Sequence, residues 1–232
     1  MTATLLLLLK GPMQAWGDSS RYKIRATGQV PTKSGVIGML AAAQGRRRSE
    51  PVTDLAGLRF AVRVDQPGFL LRDYQTAQEW QSGGGTSLVT RYYLADAVFV
   101  AAIEADDRDL LENLAEALRK PRFPLFLGRR NCPVPAGLVI GVHDGDAVAA
   151  LRDTPWQASR SHRRERTRSV SLPIYRDADP GEEGVPHQDV PVSFAQEHRR
   201  YSWREVVQDE PVIVDNPEGR SDDPFFEAVI SA

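Results

Sequence analysis

Only one cysteine, Cys132, occurs in 232 residues. That number excludes an internal disulfide and any cysteine-cluster zinc site, and it fits a reducing, cytoplasmic compartment. Histidine is almost as scarce: His143, His162, His187 and His198 are the four, and no two have the spacing of a metal-ligand pair. Neither metal catalysis nor a cofactor is expected. The chain also lacks an apolar stretch long enough to span a bilayer. Its run of five leucines, Leu5–Leu9, has no basic residue before it, ends at Lys10-Gly11-Pro12 and is followed by no small-residue cleavage pattern. Neither a secretory signal nor a membrane partner is read from it. A short apolar run closed by Gly-Pro is instead a strand buried on both faces.

An excess of one charge is missing too, with 29 Lys and Arg against 31 Asp and Glu. Position matters more than the total. Residues 205–232 carry eight acids and one base, Arg220, a balance of −7, so the rest holds 28 bases and 23 acids, a balance of +5. Those bases cluster at Arg46 to Arg48, Arg119 to Arg130 and Arg160 to Arg168, where local fields suit phosphates. Apolar residues at 41% and charged residues at 26% are ordinary for a globular chain and exclude a wholly disordered or multi-span protein.

Periodicity then orders the chain. Thr32-Lys33-Ser34 before the apolar stretch 35–43 is a helix start, and Gly45 is its stop. Residues 57–65 alternate Leu58, Phe60, Val62 and Val64 as a strand. Residues 69–94 turn to Arg, Tyr, Gln and Trp around Gly83-Gly84-Gly85, a projecting hairpin or mobile loop, and 95–105 resume as a strand. Asp106-Asp107 caps a helix carrying Leu110, Leu111, Leu114 and Leu118, which Pro121 ends, and Leu138 to Val142 is a further strand. Strand, helix, strand, strand, helix, strand is the split βαβ order of an α+β, ferredoxin-like fold. Residues 146–153 add a short helix, 177–189 an acidic loop, and 191–207 a strand or hairpin return.

Three motifs carry candidate chemistry. Pro31-Thr32-Lys33-Ser34-Gly35 opens a helix, where free backbone N–H groups and the dipole favour an anion, although a capped helix that binds nothing has the same residues. Leu127-Gly128-Arg129-Arg130-Asn131-Cys132-Pro133 sets a glycine beside paired guanidinium groups, suited to phosphate oxygens and equally to a solvated surface. Arg72-Asp73-Tyr74 and Arg91-Tyr92-Tyr93, beside Trp80, interleave arginine with aromatics as single-stranded RNA requires, and cross-strand packing in a hairpin accounts for them as well. A metal-independent ribonuclease needs an acid and a base near phosphate. Tyr22, Lys23 or a histidine qualifies by type, but spacing singles out none. Cys132 is expected to be inert.

Gly11-Pro12-Met13-Gln14-Ala15-Trp16-Gly17, Pro31 to Gly35, Leu71-Arg72-Asp73-Tyr74-Gln75-Thr76, Lys120-Pro121-Arg122 and Leu127 to Pro133, in this order and spacing, closely resemble the CasD family of type I-E CRISPR Cascade subunits, within the RAMP superfamily. The resemblance covers residues 3–142, with a weaker echo at Val192 to Val207. It implies a ferredoxin-like, RRM-like βαββαβ core over residues 1–142 with a thumb hairpin at 69–93, here short and carrying a triple glycine. The motifs do not anchor residues 143–190 or 208–232: 143–207 is read as a smaller β-rich part, and the acidic 208–232, a departure from the family pattern, as a disordered tail. The resemblance implies a non-catalytic RNA-binding subunit that caps the 5′ handle of the crRNA, against the Cascade backbone subunits and the large PAM-reading subunit, meeting target DNA through the complex.

The RNA-contacting residues expected on this basis are Gln14, Trp16, Arg25, Thr32, Lys33, Ser34, Gly35, Arg72, Tyr74, Arg91, Tyr92, Lys120, Arg122, Gly128, Arg129 and Arg130. Gln14 and Trp16 are expected to shape a base-binding surface, Thr32 to Gly35 to hold phosphates, and Arg129-Arg130 to grip the backbone with little effect on folding. The Arg46-Arg47 pair is expected to lie away from the site. The family also contains, in another subtype, a relative that cleaves precursor RNA, so a repeat-processing endoribonuclease is the rival. A scaffold that meets RNA only through its neighbours is the third reading.

Overall fold

A computed structural model describes residues 2–17, 24–78, 85–195 and 197–220. Its centre is the five-leucine strand. β1 (Ala3–Lys10) is hydrogen-bonded on both sides, antiparallel to β7 (Val98–Ala105) with Leu5 opposite Ile103, and antiparallel to β8 (Val139–Asp144) with Leu5 opposite Val142. Because side chains alternate along a strand, Leu5, Leu7 and Leu9 enter one core cluster and Leu6 another, as the run's lack of polar residues predicted. β4 (Arg59–Gln66) pairs antiparallel with the other edge of β7.

Two helices cover one face of this sheet. α1 (Lys33–Gln44) begins where Thr32 accepts a hydrogen bond from the Gly35 N–H, and it ends at Gly45, whose φ of 84° is the left-handed cap geometry. α3 (Arg108–Arg119) begins where Asp107 accepts from the Leu110 N–H. Val36, Ile37 and Leu40 of α1 and Leu111, Leu114 and Leu118 of α3 join Leu5, Phe60, Val62, Phe99 and Ile103 in the main core. Between them lies a single-turn helix not expected from the sequence, α2 (Thr53–Ala56). On the opposite face α4 (Ala147–Asp153), capped by Asp146, packs Ala147, Ala150 and Leu151 against Leu6, Ala61, Val100 and Ala102.

The expected separate C-terminal part is a continuation of the same sheet. β9 (Ser169–Asp177) pairs with β4, β11 (Arg200–Asp215) pairs with β9, and β10 (Val185–Ser193) forms the edge, so the strand order is β10-β11-β9-β4-β7-β1-β8. α5 (Arg160–Glu165) carries the basic run before β9. The acidic tail also needs correction: residues 208–215 are sheet, because Val207, Val212 and Val214 supply apolar positions that pair with Arg176, Leu172 and Val170. Residues 221–232 lie outside the described residues.

The projection at 69–93 is a hairpin of β5 (Phe69–Gln78) and β6 (Thr86–Ala95), in register from Phe69 opposite Ala95 to Gln78 opposite Thr86. β6 also pairs with β2 (Met13–Gln14) and β3 (Ile24–Arg25), giving a second small sheet. Trp80, Gly83 and Gly84, with the candidate acid–base residues Tyr22 and Lys23, fall outside the described residues. Among the described residues no helix is long and apolar enough to cross a membrane.

Candidate nucleic-acid interface

The first motif, expected to shape a base-binding surface, is core. Gln14 is fully buried: its Nε2 donates to the Leu9 and Ala97 carbonyls, which end two central strands, and its Oε1 accepts from the Trp16 indole N–H at 3.0 Å. Trp16 is 1% exposed and lies against α1 at Gly35, where a Cβ would fall 2.9 Å from the ring. An indole that can pack only on a helical glycine cannot offer its face to a base.

The helix start expected to hold phosphate already has an anion. The Lys33 N–H donates to Asp189 Oδ2 at 2.7 Å, and the Lys33 ammonium pairs with Asp177 at 2.9 Å, 7% exposed. Asp189 is held in turn by Arg204, through Nε at 2.6 Å and Nη2 at 2.9 Å, and Arg204 also donates to Asp177. Burial pushes the Asp189 carboxyl up, but the Arg204 hydrogen bonds and charge, with the Lys33 N–H, more than reverse this and leave it below the usual carboxylate range. The dipole of α1 is therefore satisfied from within, by a residue 156 positions away.

Gly128 does allow a close backbone approach, but the approaching backbone is the chain's own. A Cβ there would fall 1.7 Å from the Ala15 carbonyl oxygen, at a φ of 86°. Arg129 then reaches back across the joint: Nη1 donates to the Tyr92 carbonyl and Nη2 to those of Arg25 and Ala26, while its guanidinium lies 4.7 Å from the centre of the Tyr93 ring. It ties the β5–β6 hairpin, β3 and the glycine loop together. Cys132, 1% exposed beneath the loop, has its thiol pushed up by burial, against the Arg129 charge.

Around this framework opens a cleft of about 1750 Å³. Its floor is the outward side of α1, with Gly38, Met39, Ala41 and Ala42. One wall is the 123–130 loop with Arg25. The other lies between β10 and the start of β11: Phe194 packs on Gly38, and Glu197, His198 and Arg199, with Arg200 and Tyr201 at the start of β11, line the rim. Arg46, Arg47 and Arg48 close the end. Among the described residues, eight arginines face one carboxylate, Glu197. Arg46 is committed to Asp54, whose hydrogen bond raises the guanidinium further, and Arg129 to backbone carbonyls. The side chains of Arg25, Arg47, Arg48, Arg130, Arg199 and Arg200 have no hydrogen bond or ion pair among the described residues. Unpaired guanidinium groups around a concave surface concentrate a positive field, the arrangement that binds a phosphate chain.

Of the residues expected to touch RNA, Arg25, Thr32, Ser34, Gly35, Gly128, Arg129 and Arg130 line the cleft, with Trp16 sealed beneath its floor. Gln14 and Lys33 are interior. Lys120 pairs with Glu116 at the end of α3, and Arg122 packs its stem on Gly45, both off the cleft. Arg72, stacked 4.2 Å from the Tyr74 ring, stands with Tyr74, Arg91 and Tyr92 on the hairpin. The Arg46-Arg47 pair, expected to lie elsewhere, is part of the cleft, and Arg199-Arg200 was not foreseen. Each pair is an Arg-Arg run beside an apolar element, a signal visible in the sequence, but only the packing of Phe194 on α1 makes them neighbours.

The two arginines of the loop should therefore separate. Arg130→Ala, exposed and unpaired, should leave urea stability within about 0.5 kcal/mol. Arg129→Ala should lose about 1.5 kcal/mol, as expected for hydrogen bonds from a half-exposed charged group. Equal midpoints for the two variants would remove the bracing role of Arg129.

A profile of the family described as CRISPR-associated protein (Cas_Cas5) matches residues 4–207. The CRISPR system Cascade subunit CasD of Escherichia coli (strain K12) is 36% identical over 162 residues, 61% of this chain and 71% of that protein. A chain of a solved CRISPR RNA-guided surveillance complex matches with a TM-score of 0.76 at 30% identity, over 97% of this chain and 96% of its own. A Cas protein crystal structure matches with a TM-score of 0.69 at 35% identity, over 95% of this chain and all of its own.

Proposed function

Because this chain belongs to the CRISPR-associated Cas5 family, we propose that it is a subunit of a crRNA-guided surveillance complex and holds the 5′ handle of the crRNA in the arginine-lined cleft without cutting it. The observation that carries this reading is the set of six cleft arginines that, among the described residues, have no side-chain partners and face one carboxylate. Similarity to a Cascade subunit and to a surveillance-complex chain supports the assembly. The core is a ferredoxin-like, RRM-like unit on this reading, supported by the antiparallel order β4-β7-β1-β8 with α1 and α3 on one face.

The β5–β6 hairpin is the thumb that meets a backbone subunit. Register puts Leu70, Arg72, Tyr74 and Thr76 on one side of it with Leu88 and Thr90, and Leu70, Tyr74 and Leu88 are each more than half exposed. The chain also contacts the large PAM-reading subunit, and target DNA is met through the assembled complex.

Purified protein mixed with labelled repeat RNA in EDTA tests the reading. Retention of RNA carrying the 5′ handle, lost as salt rises, with the RNA intact, is the expected result. Cleavage at the handle boundary, abolished by His198→Ala at the cleft rim, would replace it with the endoribonuclease reading. No retention at low salt would leave only a scaffold.

A further inference from the structure

Of the Phe, Tyr and Trp side chains that line the cleft among the described residues, Phe123 is the exposed one, at 43%. Trp16 is sealed beneath the floor and Phe194 is packed on α1. An exposed phenyl ring is a poor neighbour for water, and here the backbone that carries it is anchored. The Phe123 N–H donates to the Ala42 carbonyl and the Arg122 N–H to that of Ala43, so this segment caps the last turn of α1. Pro121 and Pro124 flank it and restrict its backbone, and the Arg122 stem is packed against Gly45. The ring has no aromatic or cation partner among the described residues. Arg47 and Arg48, beyond the same helix end, line the same cleft.

We propose that Phe123 is a stacking platform for one unpaired nucleobase of the RNA in the cleft. This rests on the RNA-binding reading above and adds to it a requirement for a single strand, because a base inside a duplex has no free face for the ring. Guanidinium groups hold the phosphates on either side, and the rigid ring takes the base between them. Stacking of this kind tolerates any base, so Phe123 contributes affinity and register rather than sequence choice.

The test uses the full chain and single-stranded handle RNAs in which 2-aminopurine is moved one position at a time. One position should be quenched on binding the native protein. Phe123→Ala should abolish that quenching and weaken binding about 5- to 150-fold, the range of one base–aromatic stack, with the salt slope unchanged because no phosphate contact is lost. Phe123→Trp should retain quenching, while Phe123→Leu, apolar but without a π-face, should lose it. This comparison stands even if the alanine variant folds poorly. Equal binding and quenching by the leucine and tryptophan variants would overturn the stacking role and leave the RNA site intact. Failure of the native protein to bind any of these RNAs would instead overturn the reading it rests on.

Discussion

Asp189→Ala should unfold at markedly lower urea than the native protein, with a stability loss of about 3 kcal/mol at neutral pH, the lower end for breaking a buried ion pair because Asp177 still faces Arg204. The carboxylate is 2% exposed and accepts three hydrogen bonds, two from Arg204 and one from the Lys33 N–H. Its removal leaves a guanidinium with half its partners and a helix end without its anion. The pH dependence has a definite sign. The folded-state pKa of Asp189 lies below its unfolded value, so its contribution is complete above the ordinary carboxylate range and fades as pH falls through the lower folded value. The gap between native and variant stability should therefore shrink in acid. An unchanged midpoint at neutral pH would mean that the charge network is ornamental.

The second large effect is on binding. Replacing Arg47, Arg48, Arg199 and Arg200 together by alanine should flatten the log–log salt dependence of single-stranded RNA binding by about 2.8, at about 0.7 per phosphate contact. Affinity should fall across all handle sequences rather than at one base. Each of these side chains is unpaired among the described residues, so folding should change little. A comparison variant outside the cleft, Arg160→Ala with Arg164→Ala on α5, whose side chains are 74% and 59% exposed and share Glu218, should keep the native slope. Equal losses from the two sets would reduce the cleft to diffuse electrostatics.

What was readable in the sequence follows from how far apart the interacting residues lie. Thr32, Gly45, Asp107 and Asp146 were legible as helix boundaries because each acts on backbone within a few positions. The leucine strand was legible because two buried faces leave no polar alternation. Lys33 was misread because its partners, Asp177 and Asp189, stand more than 140 positions away, and no local pattern distinguishes a helix start that awaits an anion from one that already has it. Trp16, expected from the family resemblance to shape a base-binding surface, is core for a related reason: only the fold brings α1 and its Gly35 against the indole. The cleft itself arises from a long-range closure, so Arg46 to Arg48 looked remote from Arg129-Arg130 although both border the same space.

The pairing of β9 with β4 constrains how the molecule can be divided. The elements from β1 to β8 are contiguous in sequence, yet one edge of β4 has its partner only after residue 169. Arg63 and Asp65, fully buried on that strand, are satisfied by the Leu151, Thr154 and Pro155 carbonyls and the Gln157 N–H. A fragment ending at residue 142 would present an open strand edge, the template on which chains associate into aggregates, with an ion pair stripped of the groups that solvate it. The boundary suggested by motif coverage is thus not a domain boundary, and subunit fragments or fusions should be cut outside the whole seven-stranded sheet.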